Sequence, residues 1–222
     1  MDLKPEQTAA QLRCPHGREA AAFGQMMNLR NLAQISACLE TLQIRAGSCL
    51  LEIGCGNGGL LGWILSQNEN LRYTGLEVSE AMYREACGFN QAFIEAGLAQ
   101  YCLYGGGKLP FSDGRFDMLF SVNTVYFWPD PAEMLAECAR VLKCGGRMCL
   151  SFCEKAFMET LPFAAYGFSL YNAADIRAVA APLPLNAVAE TRRSDWAVSK
   201  SNGLVRRETV HLLFEKQSSE SK

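Results

Sequence analysis

Leu50-Leu51-Glu52-Ile53-Gly54-Cys55-Gly56-Asn57-Gly58-Gly59-Leu60 joins a short apolar run to a cluster of four glycines, and a helix-like apolar stretch begins at its end. An apolar run of this length, opening at Cys49, reads as a buried parallel strand; glycines crowded behind it read as a turn into a helix. Glycines let the chain bend sharply and let a ligand reach the backbone without meeting side chains. The amides opening the next helix can hold an anionic or strongly accepting group. A nucleotide-like ligand is the natural occupant of such a turn.

The glycines alone are not selective, because Gly54, Gly56 and Gly59 also satisfy the G-x-G-x-x-G spacing of dinucleotide folds. Two details separate the alternatives. Glu52 sits two residues ahead of the first glycine, and glycines recur alternately at Gly54, Gly56 and Gly58. This E-x-G-x-G-x-G arrangement resembles motif I of the class I S-adenosylmethionine-dependent methyltransferases. A second acid, Glu77, closes the next apolar segment (Leu71, Tyr73, Leu76), about where an adjacent strand delivers a carboxylate to a ribose diol. Both families use such an acid.

Further along, Leu109-Pro110-Phe111-Ser112-Asp113-Gly114-Arg115-Phe116-Asp117 is close to the L-P-F-x-D-x-x-F-D run of small bacterial methyltransferases of this class. Glu77-Val78-Ser79, with Met82 after it, is similar to the family's post-strand motif. The resemblance implies a three-layer, Rossmann-like α/β fold with a seven-stranded sheet, mostly parallel with an antiparallel terminal strand. It also implies S-adenosyl-L-methionine as cofactor. Glu52, Gly54, Cys55, Gly56, Asn57 and Gly58 would surround its methionine part, and Glu77 would hold the ribose hydroxyls. Val78 and Met82 would pack on ribose and adenine, Gly106, Gly107 and Leu109 would lie near adenine, and Ser121 and Asn123 would line the mouth. Where the family usually has an Asp-Ala pair whose carboxylate accepts the adenine amino group, this chain has Gly105 and Gly106. A backbone group of Gly106 or Gly107 is expected to substitute.

The remaining elements follow from periodicity and caps. Leu32, Ile35, Leu39 and Leu42, spaced by three and four, predict an amphipathic helix over 25–42. Near its start, Asn28 and Asn31 either meet solvent or look toward the cofactor. Leu60, Leu61, Ile64 and Leu65 predict the helix after the glycine turn, and Ser79 caps a helix running to about residue 97. Strands are predicted over 101–104, 117–122 and 147–153. Asp130, Pro131 and Glu133 form a capping-box-like helix start, and Gly145 and Gly146 are expected to end that helix. Ligands of an open α/β sheet sit outside the carboxyl ends of the strands. Ser121, Asn123, Thr124, Tyr126, Phe127 and Trp128 therefore fall at the mouth, with Phe127 and Trp128 either facing an acceptor or filling the core.

Residues 1–45 read as an N-terminal arm and helix covering the cofactor site, 46–216 as the methyltransferase domain, and 217–222 as a disordered tail. An insertion near 154–185, rich in Phe, Tyr and Met, is expected to form the acceptor wall, with a helix from about 172 to before Pro182. Extended segments near 187–193 and 206–216 flank the turn signal Asn202-Gly203 and predict a terminal antiparallel hairpin. Simple NAD-binding units lack that ending. His211, in the middle of the last segment, reads as structural.

Composition narrows the function. With 222 residues, 49% of them hydrophobic, the chain fits one sizeable core. A net charge of −2 and the lack of a long Lys/Arg run point away from nucleic acid and toward a small-molecule methyl acceptor. Ten cysteines are scattered without a C-x-x-C pair or zinc spacing, so no metal site is expected. Cys49, Cys102, Cys138 and Cys149 lie in apolar runs, where a thiol behaves as a small hydrophobe. Neither a leader-like apolar segment nor a membrane-length run is present, which predicts a cytoplasmic protein without membrane contact. Oligomeric state is not legible.

Methyl transfer from a sulfonium needs alignment in a dry pocket and, for a protonated acceptor, a base. Tyr126 and His16, the latter beside Arg13, Cys14 and Pro15 in the arm, are the candidates. There is no G-x-S-x-G and no H-E-x-x-H. Ser121-Val122-Asn123-Thr124-Val125-Tyr126 stands where many amide and nucleobase N-methylating enzymes carry N-P-P-[YF], so that activity is not transferred. The reading is a small-molecule methyltransferase. Its alternatives are a catalytically silent S-adenosylmethionine-binding or regulatory protein, motivated by the missing adenine carboxylate, and an RNA or protein methyltransferase of the same fold.

Overall fold

Apolar side chains alternate along the central strands, and that alternation divides the core into two layers. A computed structural model describes residues 3–198 and 203–217. Its strands are β1 (Cys49–Ile53), β2 (Arg72–Glu77), β3 (Ala99–Leu103), β4 (Phe116–Val122), β5 (Leu142–Cys153), β6 (Leu185–Val198) and β7 (Leu204–Lys216). They form one sheet in the order β3-β2-β1-β4-β5-β7-β6. The first five pair in parallel, β7 runs antiparallel to β5, and β6 runs antiparallel to β7. The seven-stranded, mostly parallel sheet expected from the sequence is the one observed, with β7 as its reversed strand.

The helices are α1 (Pro5–Arg13), α2 (Ala20–Leu42), α3 (Leu61–Leu65), α4 (Glu80–Phe89), α5 (Gln91–Glu95), α6 (Pro131–Val141), α7 (Lys155–Met158) and α8 (Ala173–Ala180). On one face of the sheet Leu50, Tyr73, Met118, Phe120 and Cys149 pack with Ile35, Cys38, Leu39 and Leu42 of α2 and with Leu61 and Ile64 of α3. On the other, Leu51, Ile53, Leu119, Leu150, Phe152 and Phe214 meet Met134, Leu135 and Cys138 of α6 and Ile176 of α8. Each fully buried Leu or Phe contributes about 1.5–3 kcal/mol of transfer free energy. Covering both faces explains why the central strands read as almost continuous apolar runs.

Local signals set most boundaries. Asp130 Oδ1 accepts from the amides of Ala132 and Glu133 at 2.7 and 3.2 Å, and Ser79 Oγ accepts from that of Met82 at 3.2 Å. Four boundaries differ from the sequence reading. Helix α2 starts at Ala20, and Leu32 is 41% exposed, so its buried stripe is carried by Ile35, Cys38, Leu39 and Leu42. The helix expected to reach residue 97 breaks at Asn90, whose side-chain amide donates to the carbonyls of Gly58 and Ala86, both at 3.0 Å. That break ties α4 to the glycine turn. Gly145 and Gly146 lie inside β5, where the pairing with β4 shifts register between Phe116 and Met118. A bulge, and not a helix end, is what they accommodate.

The hairpin is the fourth difference. Its strands are longer than expected, and Asn202 of the turn signal, like residues 218–222 of the tail, lies outside the described residues. Cys153 at the end of β5 pairs with Thr209, and Thr209 pairs with Arg193. Residues 194–198 and 204–208 therefore project past β5, at the end of the sheet where the parallel strands terminate. Among the described residues, no helix is long and apolar enough to cross a membrane.

Candidate functional site

Chain connections leave β1 in opposite directions along the sheet, toward β2 and β3 on one side and β4 and β5 on the other. Such a switch point opens a crevice outside the carboxyl ends of the strands. Here it holds a cavity of about 430 Å³.

One end of the cavity is mostly main chain. The amides of Gly54 and Cys55 donate to the Leu76 carbonyl at 2.8 and 3.2 Å, which wraps the glycine turn around the end of β2. Gly54 has φ +77°, and a Cβ there would lie 2.3 Å from Thr124 Cγ2, so only glycine fits. Glu77, buried at the end of β2, is gripped by three amides: Gly56 donates to Oε2 at 2.8 Å, and Val78 and Ser79 donate to Oε1 at 2.9 Å. Burial pushes its carboxyl up, and the amides work against that shift. Glu52 accepts a 2.5 Å hydrogen bond from the Tyr73 hydroxyl. Burial pushes the Glu52 carboxyl up to about 7, against the Tyr73 bond and with added repulsion from Glu77.

The N-terminal segment roofs this end. Ser79 Oγ donates to the Pro15 carbonyl at 2.5 Å, and Asn28 Nδ2 donates to Asn57 Oδ1 at 2.8 Å. A Cβ on Gly24 would come within 2.8 Å of Asn57 Nδ2 and 3.0 Å of the Met82 sulfur, so glycine lets α2 lie directly on the turn. Cys14, Gly24, Asn28 and Asn31 line the cavity as a result.

The other end is made of side chains. Asn123, at φ +59°, exchanges amide hydrogen bonds of 2.8 and 3.1 Å with buried Gln34 of α2, which also donates to Ser151 Oγ at 3.0 Å. The rings of Phe127 and Phe168 lie 4.6 Å apart, and Phe163 and Phe168 5.6 Å apart. Phe157 and Met158 of α7 extend this apolar wall, and the projecting hairpin adds Val198, Val205 and Arg207.

Of the positions singled out from sequence, Glu52, Gly54, Cys55, Gly56, Glu77, Val78, Met82, Gly106, Gly107, Asn123 and Tyr126 all line this cavity. Asn57, Gly58, Leu109 and Ser121 stand behind the lining. Ser121 Oγ donates to the Ile53 carbonyl at 2.8 Å, and the Leu109 amide donates to Glu137 at 2.8 Å. His16 is exposed outside the lining, its Nδ1 2.9 Å from the Cys14 carbonyl oxygen. The Tyr126 hydroxyl accepts from the Cys153 amide at 2.6 Å and donates to the Cys153 carbonyl at 2.9 Å, and burial raises its pKa well above the ordinary value. Such a group braces β5 and is poorly placed to take a proton.

Sequence reasoning missed Gly24, Met27, Arg30 and the hairpin residues. The one available signal was the length of the alternating terminal segments. Among the described residues, no cluster of His, Cys, Asp or Glu is arranged to hold a metal.

Residues 51–150 match the family model described as a methyltransferase domain. The 27-O-demethylrifamycin SV methyltransferase of Amycolatopsis mediterranei is 31% identical over 112 residues, covering 49% of this chain and 40% of that protein. Residues 51–150 are thus a methyltransferase domain of the class I, S-adenosylmethionine-dependent kind. A tRNA U34 carboxymethyltransferase of Nautilia profundicola is 34% identical over 101 residues, covering 46% of this chain and 33% of that one. Matches thus span well under half the length of these curated relatives. Among solved structures, the methyltransferase bound to the Trm112 methyltransferase activator of Haloferax volcanii superposes with a TM-score of 0.76 at 18% identity, over 91% of this chain and 96% of that one. That likeness establishes the fold.

The cofactor of this methyltransferase domain is S-adenosylmethionine, and the residues present fit it. Glu77 is a buried carboxylate held in one orientation at the cavity wall, as a partner for two hydroxyl donors must be. Glu52 supplies a second acid for a cationic ligand, and Gly105, Gly106 and Gly107 offer bare backbone.

Proposed function

We propose that this protein transfers the methyl group of S-adenosylmethionine to a small-molecule acceptor. The observation that carries the reading is that the glycine turn with Glu77 and the Phe127–Phe168 wall border one continuous cavity of about 430 Å³. Bound there, the cofactor supplies an electrophilic methyl on a positively charged sulfur. The chain's own task is then to align and to exclude water. Glu77 fastens the ribose diol, the Glu52 carboxylate receives the ammonium of the amino-acid end where the glycine turn leaves room for it, and Met82 and Val78 pack on the nucleoside. Gly106 and Gly107 meet the adenine through backbone groups. Asn123, immobilised by Gln34, sits between donor and acceptor, and the aromatic wall keeps the acceptor end dry.

A small acceptor is supported by the apolar wall, and a net charge of −2 supplies no overall attraction for an RNA backbone. One observation favours a second reading, a silent S-adenosylmethionine-binding protein: glycines stand where the family's adenine carboxylate is expected, and the Tyr126 hydroxyl is committed to Cys153. Calorimetry with S-adenosylmethionine, S-adenosylhomocysteine and NAD, followed by a donor-consumption screen over small carboxylic acids, phenols and amines, tests both. Affinity for the first two ligands with turnover of an acceptor is expected. Absence of that affinity overturns the cofactor assignment, and affinity without turnover across the screen favours the silent protein.

A further inference from the structure

The two acids that line the cavity are held differently. Glu77 is gripped by three backbone amides, which favour its ionised form. Glu52 is as deeply buried, 6% exposed against 5%, yet among the described residues it accepts a single hydrogen bond, from the neutral Tyr73 hydroxyl. A carboxylate offers about four lone-pair sites, so most of its accepting capacity is left unused by the protein.

Its surroundings supply no countercharge. Along the sheet Glu52 stands beside Gly75 of β2 and Phe120 of β4. The titratable groups that bear on it are Tyr73 and Glu77 of β2, Tyr101 of β3, Cys55 of the glycine turn and Cys38 of α2. Burial raises the pKa of both tyrosines and both thiols, so these four are neutral. Glu77 is the remaining charge, and it has the sign that an ionised Glu52 would carry. No ion pair among the described residues includes Glu52. A buried charge without a partner is costly, and a carboxyl so placed keeps its proton instead. Burial accordingly carries the Glu52 carboxyl up to about 7.

We propose that Glu52 is protonated in the empty cavity and exchanges its proton for the ammonium of the cofactor's amino-acid end. This rests on the S-adenosylmethionine reading of the cavity and deepens it. The O–H bond of the carboxyl breaks, its proton passes to solvent, and the resulting carboxylate accepts N–H bonds from the ammonium. The pair formed is neutral, as the protonated carboxyl was. Tyr73, its hydroxyl pKa raised well above the ordinary value by burial, keeps its own proton and holds the carboxyl in place. One consequence is selectivity: Glu52 ionises only for a ligand that brings it a cation, and a nucleoside without the amino-acid end leaves the proton where it is. The other is a pH dependence, with cofactor affinity rising up to about pH 7 and then levelling.

The test is calorimetry of the full chain with S-adenosylhomocysteine and with 5′-methylthioadenosine, which shares the adenosine but has no amino-acid end. Comparing the two separates the exchange at Glu52 from any titration at the nucleoside end, Glu77 included. Titrations in two buffers of different ionisation enthalpy count the protons released. S-adenosylhomocysteine should release about one proton at pH 5.5 and about half a proton at pH 7, and should gain about tenfold in affinity between them. 5′-Methylthioadenosine should release none and bind equally at both. Glu52→Gln should abolish the release and flatten the pH dependence of S-adenosylhomocysteine affinity. Tyr73→Phe removes the donor that favours the ionised carboxyl, so release at pH 7 should climb toward one proton. A packing role alone does not produce that shift, and it decides the matter if the Gln variant fails to fold. Binding of S-adenosylhomocysteine without proton release, equal release by both ligands, release that persists in Glu52→Gln, or unchanged release in Tyr73→Phe would overturn the proposal and leave the cofactor assignment standing. Failure of both ligands to bind would instead remove the cofactor assignment, and the exchange with it.

Discussion

The two ends of the cavity are built by different means. The cofactor end is a main-chain object: the turn after β1, the end of β2 and the Gly105–Gly107 loop present amides and carbonyls, with Glu77 clamped by three of those amides. The acceptor end is assembled from side chains of α2, the segment after β4, α7 and the loop beyond it, and the β6–β7 hairpin. Backbone geometry near a glycine-rich turn is dictated locally. Side chains from five remote segments meet only after the sheet has formed, and they can be exchanged without disturbing the cradle. On the proposed reading, one end holds the cofactor and the other is free to specify an individual acceptor.

The sharpest way to break this contrast is Glu77→Ala. If the cradle is the cofactor site, calorimetry should show S-adenosylhomocysteine affinity falling roughly a hundredfold or more, since two charge-assisted hydrogen bonds are lost. Unchanged affinity would remove the reason for calling this the cofactor end. Gly54→Ala comes next. With φ at +77° and Thr124 Cγ2 2.3 Å from the new methyl, chemical denaturation should report a loss of about 2–4 kcal/mol. Adding Thr124→Ser, which deletes that methyl, should recover part of it; no recovery would mean the strain lies in φ alone.

Glu52 sharpens the comparison through pH. Its carboxyl is raised to about 7 in the folded ligand-free protein, against an ordinary value of 4.5. Below pH 4.5 both folded and unfolded forms are protonated, and the full stability is present. As pH rises from 4.5 to 7 the unfolded chain releases this proton first, so stability falls, by up to about 3 kcal/mol, and then levels. Glu52→Gln should flatten that limb in denaturation curves taken between pH 4.5 and 8, whereas an unaltered limb would assign it to other groups. The smallest effect is expected at the acceptor end. Tyr126→Phe should cost about 1–2 kcal/mol of stability by releasing the Cys153 amide and carbonyl. With any acceptor found to turn over, its pH–rate profile should keep its shape; loss of a basic limb would restore Tyr126 to a proton-transfer role.

His16 and Tyr126 show why chemistry was harder to read than the cradle. Both carry suitable groups close in sequence to the right elements, yet one is exposed outside the cavity lining and the other spends its hydroxyl on the backbone of β5. Neither fact has a local sequence signature. Arg207 shows the converse: a charged residue in an alternating strand reads as an outward-facing position, and only the overhang of residues 194–198 and 204–208 beyond β5 brings it to the cavity.

The sequence by itself determined the parallel sheet, the glycine turn and the acid at the end of β2, because strand burial, positive φ and helix caps act over a few residues and leave their mark in residue type and spacing. Only the tertiary structure decided which side chains face the acceptor, how the arm is latched to Ser79 and Asn57, and where the hairpin cations lie. Those depend on strand register and on how far one element outruns its neighbour, quantities fixed by packing between segments far apart in the chain.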